Sequence, residues 1–502
     1  MVIRPRCAPW RQLLGCALFV AAPSAMAAGW EITPSLSTGL TATDNVALSN
    51  TNKQSDLVTE LSPGIRITGT GGRLNLNLDY RLRELIYSRN GKGNETQNSL
   101  NAFGTLEALE NWLYVDATGV ITRQAISAFG GTSPGTNVDA NATETSSFHL
   151  APYIRGSLGG LADYRLRYDY GTTRSKSDLV PDVTTNDWSG MLKGQTQLAN
   201  LGWGLDATHH GTSYESGRHS VADRLRGNLG YQITPQIKVS LYGGREGNDY
   251  TTVNKQYWST SGAGVDWSPD PRTQISASRE RRFFGDANSV SFTHRTALTS
   301  WKVSSSKDVS ILPNQLTKVG LGSYYDLYFN LYQSIEPDPI KRAALVENFL
   351  RLNNIPANGT VVGGFLTSGV TLEQRHDASF AILGSRNTIV LTATQSKQQS
   401  LLSGSGLPDD FNKSQNIRQR GYGFNWAYRL SPQSSLTGSL SRVSSKGTGE
   451  PVIETTQDIA QLIFSTQLTP KTRASVSARH TSADGSTAYS ENAVTGFLSH
   501  DF

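Results

Sequence analysis

Residues able to do chemistry on a substrate are sparse in this chain, and their spacing argues against most of it. Gly131-Thr132-Ser133-Pro134-Gly135 fits the glycine–serine–glycine pattern of a hydrolase nucleophile elbow. That motif works on a sharp strand-to-helix turn, and here it sits in a polar stretch with proline directly after the serine. His209, His210 and His219 are near enough in sequence to approach one another, but no carboxylate or cysteine stands at ligand spacing around them. They read as solvated loop histidines. No phosphate-binding glycine loop and no zincin helix occurs. The expectation is a chain with no catalytic residue, no metal site and no cofactor.

What remains is ionic. Arg81 and Arg83, Arg165 and Arg167, and Arg224 and Arg226 each stand two residues apart. That spacing puts both side chains of a pair on one face of a β-strand. Asp79, Asp163 and Asp169 share those faces, so two readings stay open. The six arginines form a basic wall, or carboxylates on neighbouring strands neutralise them. The whole chain has a formal charge of +5, which falls to +2 without Arg4, Arg6 and Arg11, too little for a nucleic-acid partner.

The elements that carry these residues have period two. Leu74, Leu76, Leu78, Tyr80 and Leu82 alternate with Arg73, Asn75, Asn77, Asp79, Arg81 and Arg83. Tyr164 to Tyr170, Leu225 to Ile233 and Tyr422 to Leu430 alternate likewise. A strand with one face on lipid and one on a wet lumen must read this way. Repetition from Trp30 to Phe502 predicts an all-β fold, a transmembrane antiparallel up-and-down barrel of about 22 strands within a range of 16–24. No apolar run after the N-terminus approaches the roughly 20 residues of a spanning helix, which excludes a helical membrane protein.

Punctuation supports the same architecture. Tight turns are expected near Gly71-Gly72, Glu110-Asn111, Gly159-Gly160, Asn200, Ser385-Arg386 and at Pro235, Pro269, Pro432 and Pro470. Proline presets φ for a turn and cannot donate to a ladder, so it suits a hairpin tip. Longer polar connections, such as 124–144, 172–184 and 399–415, alternate with these turns. Trp30, Tyr87, Trp112, Trp188, Trp203, Tyr231, Trp258, Trp267, Trp301, Trp426 and Tyr428 collect at strand ends, the position of two aromatic girdles.

Both ends of the chain speak to compartment. Arg4, Arg6 and Arg11 precede an apolar stretch from Leu13 to Ala22, and Ala25-Met26-Ala27 supplies a small-x-small cleavage pattern. Residues 1–27 read as a signal peptide cut between Ala27 and Ala28. Leu13-Leu14-Gly15-Cys16 resembles a lipoprotein box but has no apolar segment before it. Cys7 and Cys16, the only cysteines, leave with the signal, so the mature chain 28–502 has no thiol chemistry. At the other end Val494, Leu498 and Phe502 share a face, and a terminal aromatic on an alternating strand is an assembly signal for the outer-membrane insertion machinery. The expected location is the cell outer membrane, reached by export through the inner one, with outer-membrane lipid and that machinery as partners.

Residues 322–356 break the alternation. Asp338-Pro339 suits a helix start. Leu345, Val346, Phe349, Leu350 and Leu352 form an apolar stripe, with Lys341, Arg342, Glu347, Asn348 and Arg351 mostly opposite. Asn353-Asn354 and Pro356 end the helix, and Tyr324 to Tyr332 suggest a second one. Such a helical insertion within the barrel plugs the lumen, caps a rim or docks a partner protein.

In this region the chain resembles the outer-membrane β-barrel family associated with the PEP-CTERM/exosortase system and with exopolysaccharide gene clusters. Tyr325-Asp326-Leu327-Tyr328 and Asp338-Pro339-Ile340-Lys341-Arg342-Ala343-Ala344-Leu345-Val346 carry the resemblance. Gly363-Gly364-Phe365-Leu366-Thr367 and Ala381-Ile382-Leu383-Gly384-Ser385-Arg386-Asn387-Thr388 are similar too. The resemblance implies a role in polysaccharide secretion or cell-surface assembly, with polysaccharide or other export components as partners, and brings no catalytic residues. The expected function is a pore or export channel. A structural or adhesin-like barrel, or a barrel enzyme, stands as the alternative.

Overall fold

The computed structural model describes residues 29–502 except 90–92, 134, 139–140, 199, 216, 253, 312–323, 333–335, 337–338, 353–363, 368, 402–408 and 450–451. The expected signal segment 1–27 and its expected cleavage junction at Ala27 and Ala28 lie outside the described residues.

Strands form wherever the period-two pattern runs. The first seven are β1 (Trp30–Thr43), β2 (Asp56–Thr70), β3 (Leu74–Tyr87), β4 (Glu95–Leu109), β5 (Leu113–Ala125), β6 (Ala142–Leu158) and β7 (Ala162–Ser175). Next come β8 (Val183–Gln195), β9 (Leu201–Tyr214), β10 (His219–Thr234), β11 (Ile237–Asn248), β12 (Gln256–Asp270), β13 (Thr273–Arg282), β14 (Gly285–Arg295) and β15 (Thr299–Ser310). After an insertion that holds α1 (Tyr324–Leu331) and α2 (Pro339–Leu352), the last seven follow. They are β16 (Thr371–Leu383), β17 (Asn387–Ser400), β18 (Asn416–Arg429), β19 (Ser434–Thr448), β20 (Glu454–Thr469), β21 (Thr472–Gly485) and β22 (Tyr489–Asp501).

Each strand pairs antiparallel with the next, and β22 returns to β1 from Ser35↔Asp501 to Thr43↔Ala493, closing a 22-stranded barrel. Closure removes every unpaired strand edge, the only way a sheet satisfies its backbone in lipid. The expected turns at Gly71-Gly72, Pro235, Pro432 and Pro470 join neighbouring strands on one rim, where the start of β1 and the end of β22 also lie. Loops 44–55, 126–141 and 401–415 rise from the opposite, long-loop rim, and so does the insertion 311–370.

Alternation sorts the side chains as the pattern demands. Leu166, Leu225, Leu229, Leu391, Leu440 and Val494 stand exposed on the outer wall, while Thr41, Thr145, Thr392 and Ser445 are buried on the inner one. Trp112, Trp188, Trp267 and Trp301 are exposed as girdle residues should be. Two expected girdle aromatics turn inward. Tyr87 is buried against Val46, Val58 and Leu85 and donates its hydroxyl to the Thr136 carbonyl. Trp258 pairs with Glu246 on the inner face and packs on Phe283. Strand ends on the long-loop rim meet folded loops there, and those loops offer a burial site that sequence spacing does not register.

Candidate functional site: a plugged lumen with a latched mouth

The insertion leaves and rejoins the wall at the long-loop rim, yet its helices settle near the other end. Leu327, Tyr328 and Leu331 of α1 and Val346 and Leu350 of α2 form one buried cluster with Ala381 of β16 and Val390 of β17. Ala381 and Val390 face inward beside the short turn at 384–386. From Thr371 to Ala381 the strand runs about 33 Å along its own axis toward the short-turn rim. On the far side of the lumen, nine strands round the ring, Asn77 of β3 donates to Glu347 of α2 at 2.8 Å. The hairpin therefore spans the interior near the short-turn rim. Both described helices, α1 and α2, thus pack on the inner wall of the barrel.

One detail of the expected stripe is corrected. Leu345 is 41% exposed, whereas Arg342, expected opposite, is 7% exposed with its guanidinium 4.2 Å from the Phe329 ring. Residues 342, 346, 349 and 350 share one helical face at 3.6 residues per turn, and position 345 falls to its side. An arginine can take a buried place there because its stem is apolar and its head stacks on an aromatic ring.

All six arginines lie on inner-wall positions. Arg81 and Arg83 line the lumen with Asp79, and a cavity of about 940 Å³ opens beside them, bordered also by Ser439, Ser475 and Thr495. Arg83 pairs with Glu60 at 2.7 Å and Arg167 with Asp116 at 2.5 Å. Arg224 reaches Glu280 at 2.5 Å, and Arg226 reaches Asp206 at 3.3 Å. Arg81 and Arg165 hold no ion pair among the described residues, and Arg165 lies 4.4 Å from the Tyr153 ring. Four of the six arginines are thus matched by carboxylates, and two of the six, Arg81 and Arg165, are not.

The architecture is that of outer-membrane barrels. The FrpB iron transporter from Neisseria meningitidis, F5-1 variant, superposes with a TM-score of 0.51 over 95% of this chain and 83% of its own, at 11% identity. Its F3-3 variant gives a TM-score of 0.51 over 95% and 82%, also at 11% identity. At that identity the likeness concerns fold alone. No protein-family profile matches the chain, and no curated protein matches it by sequence.

Above the cavity, loops of the long-loop rim meet one another. Loop 126–141 crosses toward β20–β22, where the Tyr489 hydroxyl donates to the Thr132 carbonyl at 2.7 Å. Gln457 also donates to that carbonyl. Gly131 sits against the Tyr489 ring, where a Cβ would come within 2.4 Å, so the loop needs glycine at this close approach. Asn137 bridges the buried pair Arg479–Glu491: it accepts from Arg479 at 3.1 Å and donates to Glu491 at 3.0 Å. From the opposite wall, loop 401–415 contributes Asp410, which accepts from the Ser127 hydroxyl and the Ala128 N–H. Phe129, Phe365 and Ile417 pack beneath that contact.

The motifs weighed for catalysis have other roles. Ser133 lies in the crossing loop and donates to Asn137 at 2.9 Å. His209 and His210 are not loop residues: both belong to β9, so consecutive side chains leave on opposite faces. His209 meets Asp223 at 2.5 Å and His210 meets Asp187 at 3.1 Å. Among the described residues no group of three or more His, Cys, Asp or Glu could hold a metal. The latch at Asp410 went unread in the sequence because nothing local marks a partner 283 residues away. Arg479 and Glu491 are only 12 residues apart, and their pairing shows once β21 and β22 are aligned.

Proposed function

We propose that this chain is an outer-membrane conduit for an acidic polymer, in the first place an exopolysaccharide, held shut by its own helical hairpin until export begins. The observation that carries the reading is the hairpin itself. A barrel of this strand number encloses far more space than wall side chains fill. Here that space is polar, and a segment of the same chain crosses it. Among the described residues the hairpin packs on two small wall residues, Ala381 and Val390, accepts a hydrogen bond from Asn77 at Glu347 and runs beside β20.

The resemblance to exopolysaccharide-associated barrels supports the choice of cargo. The Tyr325-Asp326-Leu327-Tyr328 motif supplies two of the hairpin's buried anchors, Leu327 and Tyr328. Arg81 and Arg165 would face the carboxylates of such a polymer as it passes. Export, processing at Ala27 and insertion guided by Phe502 belong to the same proposal.

Planar-bilayer recording tests it. The intact protein should conduct weakly, and deletion of 322–356 combined with Asp410→Ala should give discrete, several-fold larger steps. If neither protein conducts at any voltage while both are folded, the conduit is refuted and the adhesin-like barrel takes its place.

A further inference from the structure

The outer wall carries charge where lipid alternation alone would not put it. On β17–β19 the outward face is apolar from the short-turn rim up to Leu391, Tyr422 and Leu440, and then changes abruptly. Above that line Lys397, Arg418, Arg420, Arg442 and Lys446 are all exposed. Cross-strand register sets three of them in one row, Lys397↔Arg418 and Arg418↔Lys446. Neighbouring strands lie about 4.8 Å apart, so the three positions span roughly 10 Å. Like charges directly opposite one another destabilise a sheet.

Local carboxylates relieve only part of this. Arg442 pairs bidentately with Asp458 at 2.6 and 2.7 Å, and Lys446 meets Glu454 at 3.0 Å. Arg420 donates to the neutral Gln395. Lys397 and Arg418 hold no ion pair among the described residues. Directly below, a groove of about 550 Å³ runs down the outer wall, lined by Leu391, Tyr422, Phe424, Leu440 and Ala460 and reaching Arg442 and Asp458 at its top.

We infer that this face binds an anionic, phosphate-bearing lipid of the leaflet on the long-loop side. Its acyl chain lies in the groove and its phosphate groups bridge Lys397, Arg418 and Lys446. An apolar channel ending under a row of cations fits an amphiphile with an acidic head, and a free anion would leave the groove unfilled. Guanidinium and ammonium donors both suit phosphate oxygens, the former bidentately. The inference needs only a barrel set in a bilayer and is independent of what passes through the lumen.

The test is native mass spectrometry of the full-length mature barrel in detergent with three probes: diphosphoryl lipid A, its dephosphorylated form and phosphatidylcholine. The intact barrel should hold the diphosphoryl lipid at least tenfold more tightly than either other probe. Lys397→Gln/Arg418→Gln/Lys446→Gln should abolish that preference while the band stays heat-modifiable. Inorganic phosphate in large excess should not displace the lipid. Equal binding of all three probes by the unaltered protein overturns the inference, whether or not the variant folds. So does displacement by inorganic phosphate, or an unchanged preference in the folded variant.

Discussion

The Asp410 carboxylate accepts a hydrogen bond from the Ser127 hydroxyl at 2.8 Å and another from the Ala128 N–H at 2.6 Å, joining loops rooted on opposite walls of the barrel. Burial pushes this carboxyl above its ordinary value, although the Ala128 N–H, the Ser127 hydroxyl and the Lys413 ammonium all favour the charged form. A carboxyl with a higher pKa in the closed mouth than in the open one binds its proton more tightly when closed. Closure is therefore fully supported at low pH and loses support as pH rises through the raised value. With 322–356 deleted, conductance should grow from about pH 3 to pH 7. Asp410→Asn keeps an acceptor but cannot ionise, so its profile should be flat over that range. A wild-type profile that falls with pH would contradict the argument.

The second prediction concerns the Arg479–Glu491 pair. Arg479 is 7% and Glu491 0% exposed, and Glu491 also accepts from Thr43 and Asn137. Removing the cation alone leaves a buried carboxylate without its compensating charge. Arg479→Met should cost about 3–5 kcal/mol in urea unfolding from lipid vesicles. Arg479→Met/Glu491→Met should recover most of that loss, since two apolar side chains of similar volume often replace a buried pair at little cost. A double variant as unstable as the single one would mean the cost comes from packing of the crossing loop.

These contacts mark how far the sequence could be read. Strands and turns were legible because their cause is local: Leu225 and Arg226 must leave on opposite faces, and Pro432 presets the φ of a hairpin turn. The count of about 22 followed from that, and the barrel has 22. The helices were legible for the same reason. Where they dock was not, because Ala381 and Val390 look like any small inward residues until Tyr328 lies on them. The arginine pairs left two readings open, since whether Arg167 meets Asp116 depends on which strands become neighbours. One signal was present and missed. Lys397, Arg418 and Lys446 all fall on the outward parity of their strands, so an exterior cation row could have been found by aligning the strands.

Orientation and assembly share a test. Pro235, Pro432 and Pro470 cap the rim that should face the periplasm, whereas Asn52 and Lys413 stand exposed on the long-loop rim. Because residues 28–502 contain no cysteine, Asn52→Cys and Lys413→Cys should label on intact cells, and Gln433→Cys and Lys471→Cys should not. Phe502 is 61% exposed on the outer wall and its N–H closes onto the Pro34 carbonyl at 2.9 Å. Its ring meets His500 at 4.9 Å. Deleting Phe502 should therefore spare the finished fold but slow its arrival, seen as delayed surface labelling of Lys413→Cys after a pulse of synthesis. Normal kinetics would remove Phe502 from the assembly signal.

The last prediction separates the two readings of the arginine face. Arg83, Arg167, Arg224 and Arg226 are matched by Glu60, Asp116, Glu280 and Asp206, so their charges largely cancel along the wall. Arg81 and Arg165 are the members of the set without an ion pair among the described residues, and the set's share of any anion preference should rest on them. The opened barrel, lacking 322–356, should show a mild anion preference in a salt gradient. Arg81→Gln/Arg165→Gln should bring the reversal potential close to zero. Replacing the four paired arginines by glutamine uncovers their carboxylates, and the same barrel should then favour cations. Both shifts should shrink as salt rises and screens the wall beyond about 10 Å at 0.1 M. Cation preference in the opened but otherwise unaltered barrel would refute the basic wall. So would a reversal potential indifferent to all six substitutions, leaving the arginines a purely structural part in tying neighbouring strands together.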